Sequence, residues 1–156
     1  MSSTDVTSAT SGGTPALGVD MKLEVVTLPV ADIDRAKDFY QRLGWRLDID
    51  LVITEDVRAV QITPPHSDCS IQFAKAGAAG PVQGLILVVG DIDAAREDLV
   101  SRGIDVSEVA VQRPPGFDLP EESRSYFARA SFSDPDGNAW VLQEITDRLP
   151  GRLWED

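Results

Sequence analysis

The chain holds one cysteine and one histidine in 156 residues. With Cys69 alone no internal disulfide can form, which suits a reducing compartment. With His66 alone, in the turn Pro64-Pro65-His66-Ser67, neither a multi-histidine metal site nor a strand-borne Ser-His-Asp set is available. Asp68 lies close to His66 in sequence, but a turn is a poor platform for acid–base chemistry. No apolar run approaches the roughly 20 residues of a membrane helix. Residues 1–20 are largely Ser, Thr, Gly and Ala and lack the basic start and apolar stretch of a secretory signal, so they read as a disordered tail. Bases are scarce too: Lys and Arg number 14 against 26 Asp and Glu, a formal net charge of −12. Such a surface repels phosphate backbones and anionic headgroups, which argues against nucleic-acid and membrane partners. A cytoplasmic protein with a small-molecule ligand is the expectation. The negative field attracts cations, although solubility alone accounts for it.

What the chain does have is a phrase used twice. Val30-Ala-Asp-Ile-Asp-Arg-Ala-Lys-Asp-Phe-Tyr-Gln-Arg-Leu-Gly44 is echoed by Val89-Gly-Asp-Ile-Asp-Ala-Ala-Arg-Glu-Asp-Leu-Val-Ser-Arg-Gly103, offset by 59 residues (89 minus 30). A repeat this long is no solenoid unit. It reads as a duplicated half-domain, with the ligand pocket expected between the halves.

Each copy spells strand, capped helix and stop. Lys22 to Val30 is a Val/Leu-rich strand, Asp32 is a helix N-cap, and Ile33, Ala36, Phe39, Tyr40 and Leu43 recur at helical spacing until Gly44 ends the helix. Trp45 to Leu51, Val57 to Thr63 and Cys69 to Ala74 read as strands. In the second copy Val82 to Val89 is a strand and Asp91 caps a helix that Gly103 ends. Ile104 to Val111, Tyr126 to Ser133 and Asn138 to Ile145 follow as strands, the last two joined by the turn Asp134-Pro135-Asp136-Gly137. Gln112 to Ser125, rich in Pro and Glu, has no counterpart in the first copy and is an inserted loop, either a lid or a surface excursion. The organisation is thus a tail (1–20), one domain (21–148) made of module one (21–76) and module two (81–147, with the insertion at 112–125), and a C-terminal extension (149–156).

With a βαβββ unit duplicated, and with Leu28-Pro-Val-Ala-Asp-Ile33, Phe39-Tyr40, Leu43-Gly44 and Ser133-Asp-Pro-Asp-Gly-Asn-Ala-Trp-Val-Leu-Gln-Glu144 in place, the chain resembles the vicinal oxygen chelate superfamily. That group includes glyoxalase I, bleomycin-resistance proteins, fosfomycin-resistance enzymes and extradiol dioxygenases. The resemblance implies an α+β fold, two βαβββ modules forming a cup-shaped mixed sheet with helices outside, and a homodimer. It also implies four metal-ligand positions, which fall on Val25, Gln72, Gly84 and Val141. Three of these have no donor, and one glutamine cannot hold a catalytic ion. The expectation is therefore the metal-free branch, with no cofactor.

Strand alternation then assigns the cup lining. If the four ligand positions face inward, so do Leu23, Thr27, Ser70, Ala74, Ile86, Val88, Ala139 and Gln143, and on the penultimate strand Phe127, Arg129 and Ser131. The opposite faces carry Val26, Leu28, Ile71, Phe73, Leu85, Leu87, Val89, Trp140 and Leu142, an apolar set suited to packing on helices. Thr27, Ser70, Gln72, Arg129, Ser131 and Gln143 are the candidate ligand-binding residues, sparse polar groups on an apolar wall. Arg129 suits a carboxylate, phenolate or enolate, or else an internal ion pair with Glu144 or a loop acid. Gln72 is either a ligand contact or a satisfied strand amide. Trp45 and Trp140 read as core, and Trp154 is a candidate for packing on a partner subunit.

The leading function is binding of a small oxygenated organic molecule, with isomerisation, elimination or ring closure on developing oxyanions as the enzymatic version. No general base supports that chemistry, since alternation turns Glu144 away from the cup. The alternative is sequestration of a cationic antibiotic without chemistry.

Overall fold

Each half of the chain opens with the same local event, an aspartate that ends a strand and starts a helix. Asp32 is extended at φ −134° and accepts the N–H of Arg35 at 3.2 Å; Asp91, at φ −141°, accepts that of Ala94 at 3.1 Å. These caps satisfy donors that the first helical turn leaves free. At the other end Gly44 and Gly103 leave the helices at φ 89° and 83°, where a side chain would be strained.

The computed structural model describes residues 13–15, 18–77, 80–116 and 118–155. Module one runs β2 (Val25–Val30), α1 (Ile33–Arg42), β3 (Arg46–Val52), β4 (Arg58–Thr63) and β5 (Ser70–Lys75), after a two-residue β1 (Thr14–Pro15). Module two runs β6 (Leu85–Val89), α2 (Ile92–Ser101), β7 (Ala110–Val111), β8 (Ala128–Ser133) and β9 (Ala139–Glu144), followed by a 3₁₀ turn at Pro150–Arg152 and β10 (Trp154–Glu155). The fold is α+β, two βαβββ modules, each a mixed four-stranded sheet. The strand orders are β2-β5-β4-β3 and β6-β9-β8-β7, so the parallel pair sits at the same edge in both. Registers match as well: Thr27 pairs with Gln72 in module one, and Ile86 with Val141 in module two. β1 pairs with β10. The rest of the expected tail (1–12, 16 and 17) lies outside the described residues, as does Phe117 of the insertion.

Several strands are shorter than their composition suggests: β2 begins at Val25 and not Lys22, β6 at Leu85 and not Val82, and β7 and β8 are shortened by identifiable contacts. β7 was expected from Ile104 but is only two residues long. The Oγ of Ser107 accepts the N–H of Ser131 at 2.9 Å, while Arg96 of α2 donates to the carbonyls of Val106 and Ser107. One backbone bond survives there, from the Ser107 N–H to the Ser131 carbonyl at 2.9 Å, while side chains take the neighbouring places. β8 starts at Ala128 instead of Tyr126 because Tyr126 is left-handed (φ 72°) and Ala128 closes a turn onto the Arg124 carbonyl.

Period-two alternation sets the core face of both sheets, although β3 buries no residue and Thr63, Ser70 and Gln143 are buried on the opposite parity. Leu28, Val30, Val60, Ile62, Ile71 and Phe73 of module one are buried, and so are Ala128, Ala130, Phe132, Trp140 and Leu142 of module two. Together with Ala36, Phe39 and Tyr40 of α1 and Ile92 and Leu99 of α2 they form one core. Aromatics bridge the modules: Phe39 to Phe132 at 6.5 Å, Tyr40 to Trp140 at 6.0 Å, and Trp45 edge-on to Trp140 at 5.1 Å. Trp45 and Trp140 are core residues, as expected, whereas Trp154 is exposed.

A polar seam runs beside this core. The Tyr40 hydroxyl donates to Asp134 at 2.8 Å and accepts the Trp140 indole N–H at 2.9 Å. Burial, and then the Asp134 carboxylate, push the phenol far above its ordinary pKa, so it stays protonated as the donor. Asn138 reaches the Pro29 carbonyl at 3.0 Å, and Asp136 takes the Ala31 N–H at 2.8 Å and Arg35 at 2.9 Å. The Asp134–Gly137 turn is thus also the clamp between modules.

Candidate functional site

The faces opposite the core are open. Thr27 and Gln72 in module one and Ile86, Val88, Arg129 and Ser131 in module two are exposed, as alternation requires. Two cavities lie at the ends of the sheets, beneath the β3–β4 and β7–β8 connections, and each belongs to one module.

The module-two cavity holds about 350 Å³ and is lined by Ala110, Gln112, Pro114, Tyr126, Phe127, Arg129 and Gln143. It sits on a row of cross-strand neighbours, Val88, Gln143, Arg129 and Ala110. Two of the expected site residues, Arg129 and Gln143, therefore meet in one place. The Gln143 amide donates to the Tyr126 carbonyl at 3.0 Å and is held beside the arginine. The Arg129 guanidinium has no hydrogen bond or ion pair among the described residues. The expected alternative partner, Glu144, is 6% exposed on the other face, where it accepts the Ile92 N–H and Arg124, both at 3.0 Å. Hydrogen bonds to Asp93 first and Glu144 second raise the Arg124 pKa, so its guanidinium stays charged.

The insertion supplies one wall of that cavity through Gln112 and Pro114. Arg113 shapes the loop by donating to the carbonyls of Leu119 and Pro120, with its guanidinium 4.9 Å from the Phe127 ring centroid. Ser125 anchors the loop's far end: its hydroxyl donates to the Asp147 carbonyl at 2.7 Å and accepts the N–H groups of Thr146 and Asp147. Tyr126 accepts the Leu149 N–H at its hydroxyl. Its place in the cavity was not apparent from the sequence, because alternation carries no signal for a left-handed residue at a strand's threshold.

The other candidates lie elsewhere on the open faces. In module one, Gln72 donates to Thr27 Oγ1 at 2.7 Å, a cross-strand pair. Ser70 is 4% exposed and its hydroxyl is 2.6 Å from that of Thr63, which also donates to Asp48. Ser131 contacts Ser107. The module-one cavity, about 840 Å³, is lined by Asp32, Asp34, Glu55, Asp56, Arg58 and Lys75 among others. At its edge Arg58 bridges Asp34 and Asp50, and Lys37 adds a second contact to Asp50. Those hydrogen bonds, Arg58's first, hold the Asp50 carboxyl well below the usual carboxylate range.

The four positions that the resemblance assigns to metal ligands offer little to a metal. Val25, Gly84 and Val141 carry no donor, and no group of three or more His, Cys, Asp or Glu among the described residues is placed to hold an ion. No helix among them is long and apolar enough to cross a membrane.

This geometry has clear relatives. The chain is 28% identical to TnmS3, an antibiotic binding protein from Streptomyces sp. CB03234, over 83% of this chain and 100% of that one, with a TM-score of 0.65. It is 29% identical to a glyoxalase/bleomycin resistance protein from the same organism, over 78% of this chain and 99% of that one, at a TM-score of 0.60. A superfamily member from Sphaerobacter thermophilus DSM 20745 matches at 28% identity, over 80% and 98%, with a TM-score of 0.58. No curated protein matches. Residues 22–142 match the description Glyoxalase/Bleomycin resistance protein/Dioxygenase superfamily, and with the seam and all but the end of β9 inside that span, the chain belongs to this superfamily.

Proposed function

We propose that this protein sequesters a small organic molecule of the antibiotic class on the open faces of its sheets and releases it unchanged, without a metal ion. The observation that carries this reading is the 28% identity with an antibiotic binding protein along the whole of that chain. The chemistry of the module-two cavity supports it. Apolar walls with a few fixed polar groups are how small-molecule sites are built. Among the described residues no carboxylate, imidazole or thiol lines that cavity, and its one phenol, Tyr126, is tied to the Leu149 N–H, which speaks for binding over isomerisation or elimination.

Pairing of two chains belongs to the same reading. Ile49, Leu51, Ile86 and Val88 on the open faces are exposed, and Met21 and Leu23, on the extended segment before β2, are 91% and 72% exposed. Apolar surface of this density suits a contact with a second copy that closes the binding face. The test is a thermal-shift screen with a panel of antibiotics, followed by mass spectrometry of the recovered compound. A ligand at about 100 times its Kd should raise Tm by about 5–10 °C and be recovered intact. No stabilising compound in the panel, or recovery of a converted product, would overturn the reading.

A further inference from the structure

We propose that the module-two cavity anchors an organic oxyanion (a carboxylate, phenolate or enolate on a flat apolar body), with Arg129 holding the charge. This rests on the sequestration reading for the premise that a ligand occupies the open face, and goes beyond it in stating the ligand's charge and where it sits.

The charges around the cavity select an anion. Acids outnumber bases 26 to 14, and Arg35, Lys37, Arg46, Arg58, Arg96, Arg102 and Arg124 all have carboxylate partners. Arg129 sits mid-sheet between Gln143 and Ala110, both neutral, and has no ion pair among the described residues. Among the described residues no Asp or Glu lines its cavity, and the Arg113 guanidinium lies on the Phe127 ring nearby. A cation entering there would meet positive charge first. The net charge of −12 acts from further away, where salt screens it over about 8 Å. Contact with Arg129 therefore decides the sign.

The duplication singles out the same pair of side chains. Gln61 pairs with Gln72 as Ser131 pairs with Val141, so the module-one equivalents of Arg129 and Gln143 are Ala59 and Ala74. Module one builds the same sheet with two alanines. The fold does not require an arginine and a glutamine at these places, and only the module that carries the insertion has them. The shape of the cavity fits as well. The guanidinium fork matches two oxygens of a carboxylate or a phenolate with a neighbouring carbonyl, while Pro114, Tyr126 and Phe127 wall a space of about 350 Å³. That is the lower end of the range for small-molecule sites.

The test uses three probes on the full chain: 2-naphthoate, neutral 2-naphthamide and 2-naphthylmethylammonium. Affinity is measured by calorimetry, and the Arg129 Nε–H and Gln143 side-chain amide resonances by NMR. Naphthoate should bind about 10-fold or more tightly than naphthamide, from the worth of a charge-assisted hydrogen bond, and should shift both resonances. Arg129→Gln should abolish that preference with Tm within about 2 °C of wild type, as for an exposed surface change, and Arg129→Lys should keep part of it. Equal affinity for naphthoate and naphthamide, tightest binding of the ammonium, or no shift at Arg129 overturns the proposal. Should Arg129→Gln not fold, the wild-type preference and the Arg129 resonance decide. The antibiotic screen tests sequestration separately, so a stabilising compound that leaves Arg129 unmoved would sink the oxyanion site and spare the binding function.

Discussion

Replacing Tyr40 by Phe removes one oxygen from the seam between the modules, and the structure allows its cost to be worked out. The hydroxyl has two partners, Asp134 at 2.8 Å and the Trp140 indole N–H at 2.9 Å. Asp134 keeps three donors without it: the N–H groups of Asp136 and Asn138 and the Asn138 side-chain amide. On that side only the charge-assisted bond is lost, worth about 1.5–3 kcal/mol. Trp140 is 4% exposed and has no other acceptor for its N–H among the described residues, which adds about 1–3 kcal/mol for a stranded donor. The phenol's own desolvation cost disappears, so the net loss should be about 2–4 kcal/mol. At roughly 2–4 °C per kcal/mol for a chain of this size, Tm should fall by about 5–15 °C. Urea unfolding should show a lower midpoint at unchanged m-value. Trp140→Phe in the same background should then cost less than it does alone, because its N–H partner has already gone. A loss under about 0.5 kcal/mol, with additive single mutants, would refute the claim that this seam couples the modules.

Four further outcomes are expected. Asp50 titrates lower in the folded chain than the ordinary Asp value of about 3.9. Its contribution is therefore complete above that value and is lost as pH falls toward the lower folded one. The urea-midpoint gap between wild type and Arg58→Met should be present at neutral pH and shrink below about pH 4, and a gap that widens in acid would contradict it. Gly103→Ala meets nothing within 4 Å, so its cost is conformational alone and should be about 1–2 kcal/mol by urea unfolding. Elemental analysis should find no stoichiometric divalent metal, and a chelator should leave ligand-induced stabilisation unchanged; about one metal per chain, removable with loss of binding, would reverse this. Light scattering at micromolar concentration should give twice the chain mass of 16.9 kDa, and a monomer would remove the proposed pairing.

The parts of this fold that were legible in the sequence are those decided by near neighbours. Asp32 and Asp91 cap helices through donors three residues away, and Gly44 and Gly103 end them by conformation alone. Alternation sorted Leu28, Phe73, Trp140 and Leu142 to the core and Thr27, Gln72, Arg129 and Ser131 to the open face, because its period is a property of one strand. What the sequence hid depends on contacts between distant segments. β7 is cut short by a serine hydroxyl and by an arginine of α2, neither of which has a strand signature. The Asp134-Pro135-Asp136-Gly137 phrase reads as a tight turn and is one, yet its larger role is to hold Tyr40, Ala31 and Arg35 of the other module.

The same division runs through the site. Alternation could put Arg129 on the open face, but whether an acid would reach it turned on where Glu144 and Arg124 would pair. Glu144 is held on the opposite face by Ile92 and Arg124, two long-range contacts that leave Arg129 with neutral neighbours. Ser70 shows the converse. It falls on the same open-face parity as Gln72, but Thr63 lies 2.6 Å from its hydroxyl, so its polarity is spent within the sheet. A side chain's face is local information, whereas its availability to a ligand is set by everything that folds around it. The duplication narrows that gap. Where two modules share one sheet plan, a polar group in one whose equivalent in the other is alanine is not there to make the sheet, and Arg129 and Gln143 satisfy that test together.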